Sequence, residues 1–108
     1  MEAKNLKNLM VKHFDFLQRD YGFKYNASSN RYVKKELEVE VQHKGGALDV
    51  LLISQKQINL LPNVISKLLK KEFTYPEHFS SWIFSMGDVD SRLAYDAKLM
   101  KEYAKDIL

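Results

Sequence analysis

The stretch "ELEVEVQHKGGALDVLLI", Glu36 to Ile53, alternates acidic and aliphatic residues, breaks at Gly45-Gly46 and then turns almost wholly apolar. A repeat of two is the period of a β-strand with one buried face. From Arg31 onward the odd positions Val33, Leu37, Val39 and Val41 are apolar, with Lys35 the exception, and the even positions Lys34, Glu36, Glu38, Glu40 and Gln42 are polar. This pattern predicts one long strand. The glycine pair predicts a tight turn in which both residues can take positive φ. The register follows. Lys44 flanks Ala47, Val41 lies opposite Val50 and Val39 opposite Leu52, because a one-residue slip would scatter the apolar sets. Leu37, Val39, Val41, Leu48, Val50 and Leu52 then form the core face. The other face carries Glu36, Glu38, Glu40, Gln42 and Asp49 together with Leu51 and Ile53, so the strand after the turn is expected to be the more buried one.

Outward from this hairpin the period changes. Leu6, Leu9, Met10, His13, Phe14 and Leu17 recur at spacings of three and four, which predicts an amphipathic helix ending at Gly22. Phe23 and Tyr25 open a short strand, and Ala27 to Asn30 reads as a hairpin loop. After the meander, Val64, Ile65, Leu68 and Leu69 stripe a second helix with Pro62 in its first turn. Lys67, Lys70 and Lys71 lie at its carbonyl end, where cations suit the dipole. Phe73 to Met86 is a connector rich in aromatics. A closing helix begins at Asp88 or Asp90 as cap, with Val89, Leu93, Ala97, Met100, Ala104 and Ile107 as its stripe. The fold expected is a single α+β domain over residues 1–108: an N-terminal helix, a three-stranded antiparallel meander, and two C-terminal helices packed on one face of the sheet.

The chain of 108 residues is long enough to bury a core without staples. It carries 17 Lys and Arg against 14 Asp and Glu, a net charge of +3, and no cysteine. That excess of positive charge is too small to argue for nucleic acid. The absence of cysteine removes disulfides, thiolate metal sites and thiol nucleophiles. The N-terminus does not read as a signal peptide and no apolar run reaches the length of a membrane span, so a soluble, cytoplasmic protein is expected.

Catalytic constellations do not emerge. His13 lies on the apolar stripe and His43 on the apolar strand face, both read as core histidines, while His78 sits in the connector. No serine occupies a nucleophile elbow, and Asp88 and Asp90 read as helix caps rather than metal ligands. The expectation is therefore a protein that is not an enzyme and needs no cofactor or metal. Glu36, Glu38, Glu40 and Asp49 share one sheet face. The plain reading is the solvated side of a strand; the functional one is a surface complementary to a basic partner. Tyr75 and Trp82, in the connector, are candidate anchors for the same partner. The plain alternative is a loop that tucks its aromatics over the core.

Four segments carry a resemblance: "HFDFLQRDYGFKY" (His13–Tyr25), "LEVEVQHKGGALDVLLI" (Leu37–Ile53), "VISKLLKKE" (Val64–Glu72) and "LAYDAKLMKEYAKDIL" (Leu93–Leu108). In pattern the chain resembles small bacterial proteins found among the immunity proteins of polymorphic and contact-dependent toxin systems. The resemblance implies a protein that neutralises a cognate toxin by direct binding, and it brings no catalytic residues. Many immunity proteins against basic nucleases are acidic overall. This chain is basic, so masking of a nuclease would rest on the local row of carboxylates. Two other readings stand beside it: a nucleic-acid-associated accessory protein using Lys34, Lys35 and the aromatics near them, and a homodimeric structural protein pairing through the sheet. A protein partner is expected ahead of nucleic acid or membrane, with the chain itself a monomer or homodimer.

Overall fold

The computed structural model describes residues 3–44, 46–76, 79 and 86–108. Four α-helices and five strands are present among them: α1 (Ala3–Phe14), α2 (Phe16–Tyr21), β1 (Lys24–Asn26), β2 (Arg31–Lys34), β3 (Leu37–Lys44), β4 (Ala47–Ser54), β5 (Gln57–Leu60), α3 (Leu61–Leu69) and α4 (Met86–Tyr103), followed by a 3-10 turn at Lys105–Ile107. The strands form one antiparallel sheet in sequence order. The chain is thus α+β, but the sheet has five strands where three were expected.

Two hairpin turns account for the difference. The long strand expected from Arg31 is broken at Lys35-Glu36, where Lys35 takes φ 53°. Lys34 pairs with Leu37, Val33 with Glu38 and Tyr32 with Val39. A two-residue turn reverses which parity faces the core. Val33 therefore shares the outer face with Glu38, and Tyr32, fully buried, joins Val39 in the core. The second unexpected turn, Gln55-Lys56, has φ 50° and 68° and creates β5. The glycine hairpin has the expected register: Lys44 opposite Ala47, Val41 opposite Val50 and Val39 opposite Leu52. Gly46 takes φ 87°, while Gly45 lies outside the described residues.

The first helix is interrupted. α1 ends at Phe14 and α2 restarts at Phe16, with the Asp15 carbonyl accepting from both the Gln18 and Arg19 N–H groups. The stop at Gly22 holds: the glycine is left-handed at φ 78° and the Phe23 N–H reaches the Leu17 carbonyl at 3.0 Å, closing the helix as a glycine cap does. The loop from Ala27 to Asn30 is pinned by Asn26, whose Oδ1 accepts from Ser28 N–H at 3.1 Å and Ser28 Oγ at 2.7 Å.

The core lies between the helices and one sheet face. Met10, Phe14, Phe16, Leu17 and Phe23 meet Val39, Val41, Leu48, Val50 and Leu52, with Ile65, Val89, Leu93 and Met100 closing the cluster. Each such large side chain contributes about 1.5–3 kcal/mol on burial. Leu51 and Ile53 are also buried, but on the outer face and outside this cluster. This makes β4 more buried than β3, as expected. Two stripe positions differ from expectation. Leu68 is 41% exposed, and Ile107 falls beyond α4 and is 44% exposed. Asp88 and Asp90 lie within α4, which starts at Met86, with Asp88 in its first turn. Asp90 bonds His13 and, at 3.2 Å, Lys12, so it ties α4 to α1.

Candidate functional site

The outer sheet face is built by alternation. Residues cross-strand from one another lie on the same side, which places Arg31 beside Glu40, Val33 beside Glu38, Glu40 beside Leu51, Glu38 beside Ile53, and then Leu51 beside Leu60 and Ile53 beside Ile58. The face is therefore divided. Its β2–β3 half is mainly charged, and its β4–β5 half is apolar except for Asp49 near the glycine turn. Ile58 is 65% exposed and Leu60 is 37% exposed, which is unusual for aliphatic side chains lying side by side.

Glu38 and Glu40 are not free carboxylates. Arg31 reaches Glu38 Oε2 with Nη1 and Glu40 Oε2 with Nη2, both at 3.3 Å. One guanidinium fork thus clamps two glutamates and cancels half of their charge. Glu36 leaves the row altogether. It sits in the β2–β3 turn, exposed, and accepts a hydrogen bond from Gln55 Nε2 at 3.2 Å. The expected row of four acids is in fact a bridged pair, a turn residue and a distant Asp49.

Asp49 lies opposite Gln42 near the glycine turn. A second cluster joins α4 to the segment after α3. Tyr75 donates its hydroxyl to Asp96 Oδ1 at 2.6 Å. The Arg92 guanidinium stacks on the Tyr75 ring at 3.6 Å from its centroid. Arg92 Nη2 reaches the Leu48 carbonyl at 3.4 Å and its Nε stands 3.5 Å from Asp96 Oδ2. Burial pushes the Asp96 carboxyl up to about 6. The Tyr75 hydrogen bond and the Arg92 charge oppose the rise, and the Asp49 charge adds to it. Burial first, then the Asp96 charge, raises the Tyr75 hydroxyl well above its ordinary range. Phe73, Phe79 and Tyr95 crowd the same ring. Tyr75 is thus half-buried and tied by its hydroxyl to α4. Trp82 and His78 lie outside the described residues.

The structure joins Tyr75 to Asp96, and Glu38 and Glu40 to Arg31, while Asp49 stays opposite Gln42 on the outer face of β4, so the expected residues do not form one site. The sequence pattern points to Arg31 only as a candidate nucleic-acid contact beside Tyr25, Tyr32 and Lys34, not as the partner of Glu38 and Glu40, and it does not point to Arg92, Asp96, Ile58 or Leu60. The Arg92-Asp96 spacing of four on a helix was a signal for the one pair. The β5 residues had none, because the turn before them contains neither glycine nor asparagine. No group of acidic and histidine side chains among the described residues could hold a metal, and no helix among them is long and apolar enough to cross a membrane. Comparison with known proteins finds no match to a family model, to a curated protein or to a solved structure.

Proposed function

We propose that the chain is a non-enzymatic protein-binding module whose recognition surface is the outer sheet face, and that it acts as an immunity-type protein neutralising a cognate toxin by direct binding. The observation that carries the binding reading is the exposed Ile58–Leu60 pair on the edge strand β5, on the same sheet face as the Arg31–Glu38–Glu40 bridge and separated from it by β4. Exposed apolar side chains and charged, hydrogen-bonding groups on one face are the two ingredients of a protein interface. The apolar residues supply affinity, and the bridged glutamates supply orientation towards a partner with cationic groups. The toxin-neutralising role rests on the resemblance of the hairpin and helices to immunity proteins.

The test is affinity capture from the source cells with wild type and with Ile58→Lys, followed by co-expression of the captured protein. Ile58 is an edge-strand residue at high exposure, so the substitution leaves the melting temperature within a degree or so. Capture by wild type, loss with Ile58→Lys and rescue of growth when the captured protein is toxic support the whole reading. Undiminished capture by Ile58→Lys removes the surface. A captured protein that is harmless when expressed alone removes the neutralising role and leaves a binding module.

A second reading, a homodimer, is favoured by one observation. All four residues of β5 are exposed, and an edge strand of this kind can pair with a second copy. Sedimentation at two protein concentrations separates a monomer from such a dimer.

A further inference from the structure

On the helix-bearing side of the sheet, α3 stands off β3, β4 and β5 and leaves an open cleft of about 740 Å³. We propose that this cleft binds a monomeric amphiphile with a carboxylate head and an alkyl chain, a molecule of the fatty-acid class. This site lies apart from the outer sheet face and does not depend on what binds there.

The floor is apolar: Leu37 and Leu52 from the sheet, Val64 and Leu68 from α3, with Ile107 at one end. Leu68 and Ile107 are among the most exposed large aliphatic side chains described, at 41% and 44%, and both edge this one cavity. The rim is polar and of one sign. Gln57, Asn59, Asn63, Lys67 and Lys71 line it, and among the described residues no aspartate or glutamate does. Among the described residues neither Lys67 nor Lys71 forms an ion pair.

The lysines are not consumed by the helix end either. The last carbonyls of α3 are closed by backbone: Lys70 N–H reaches the Lys67 carbonyl at 3.3 Å and Lys71 N–H the Ser66 carbonyl at 3.2 Å. Ser66 is spent in holding the wall. Its hydroxyl donates to the Pro62 carbonyl at 2.9 Å and accepts from Phe73 N–H at 2.8 Å. Lys67 lies in the last turn of α3 and Lys71 just past its end, beyond the left-handed Lys70, and both line this one cleft. Asn59 lies cross-strand from Leu52, so an amide donor stands directly beside the apolar floor. Cations and amides at the lip with aliphatic carbon below match a carboxylate on a hydrocarbon chain. The volume is that of a small-molecule site, while a protein partner would need about 800 Å² of surface.

The experiment is a titration of the isotope-labelled protein, followed by amide chemical shifts, with sodium octanoate, 1-octanol and octyltrimethylammonium at monomeric concentrations. Octanoate is expected to give saturable shifts at Leu52, Asn59, Val64, Lys67 and Leu68. The trimethylammonium compound is expected to bind about tenfold more weakly, a difference of about 1.4 kcal/mol. Lys67→Ala/Lys71→Ala, two surface substitutions that leave the core intact, is expected to weaken octanoate about tenfold and leave octanol unchanged. Equal affinity for all three heads overturns the proposal, as do shifts confined to Leu51 and Ile58 on the outer face. Concentration-dependent shifts in the cleft without ligand also overturn it, because a second copy would then be its occupant.

Discussion

The Arg92 guanidinium lies 3.6 Å from the centroid of the Tyr75 ring, and the Tyr75 hydroxyl in turn donates to Asp96 on the same helix as Arg92. One arginine thus fastens the segment after α3 to α4 by its face and to β4 by its Nη2, through the Leu48 carbonyl. Arg92 is 8% exposed and Asp96 0%, so loss of the cation leaves a buried carboxylate without its counter-charge. Arg92→Ala is expected to cost about 3 kcal/mol in urea unfolding. Arg92→Ala combined with Asp96→Ala is expected to cost less than the sum of the two single variants, because the orphaned charge is gone. Additive losses would show that the two residues act separately.

Asp96 also sets a pH dependence. Its carboxyl, ordinarily at 3.8, is pushed up to about 6 by burial. The folded state then binds this proton more tightly than the unfolded state, so stability falls as pH rises from about 3.8 to about 6. Asp96→Asn keeps an acceptor for Tyr75 and removes the proton. The difference in urea midpoint between wild type and Asp96→Asn is expected to change across that window and to be flat above it. A difference that stays constant from acid to neutral pH would mean that Asp96 does not titrate there.

Asp90 works in the opposite sense and in a lower window. Hydrogen bonds from His13 and then Lys12 hold its carboxyl below the ordinary 3.8. Its contribution is present above that value and is lost as pH falls through the folded-state pKa. Asp90→Asn is expected to be less stable than wild type near neutrality and indistinguishable from it in strong acid. Thermal melts at both extremes check this, and an equal loss at both would assign the effect to packing.

The parts of the fold that could be read in advance are those where pattern and turn chemistry agree. The glycine hairpin fixed its own register because Val39, Val41, Val50 and Leu52 can share one face in only one alignment. The helix stop at Gly22 was legible for the same reason that only glycine enters φ 78° without penalty. The Lys35-Glu36 and Gln55-Lys56 turns were not legible, since lysine and glutamine carry no turn preference and here adopt left-handed φ under the pull of the flanking strands. The polar residue that broke the apolar series at Lys35 was the one trace of the first. The candidate site suffered most from this. Unbroken alternation puts Glu36 on the face, and only the turn at Lys35-Glu36 sets Arg31 opposite Glu40. Asp96 was hidden because a buried acid looks in sequence like any other polar residue of an exposed helix face.

The Arg31 clamp predicts a salt effect. Glu38 and Glu40 sit two residues apart on one strand face and are held by a single cation at 3.3 Å from each. Removing the cation leaves two like charges on neighbouring positions of a part-exposed surface. Arg31→Gln is expected to cost about 1 kcal/mol at low ionic strength and roughly half that at high salt, where the repulsion is screened. Urea unfolding at the two salt concentrations measures it. A cost independent of salt would assign the role of Arg31 to the packing of its stem rather than to its charge.

The strand that presents Ile58 depends on a turn with the wrong residues for its shape. Gln55 and Lys56 both take positive φ, 50° and 68°, the geometry in which a two-residue hairpin prefers Asn-Gly. Each non-glycine residue held there costs on the order of 1 kcal/mol. Gln55→Asn/Lys56→Gly is therefore expected to raise stability by about 1 kcal/mol and to slow hydrogen exchange of the β4–β5 amides, including Ile58, which pairs with Ile53. The same variant bears on the outer face. A better-ordered β5 holds Ile58 and Leu60 in place before a partner arrives, so the affinity of any protein captured through this face should rise along with the stability. Greater stability without greater affinity would place the partner elsewhere on the chain. A loss of stability would show that the turn does not take the left-handed pair of conformations on which β5 is built.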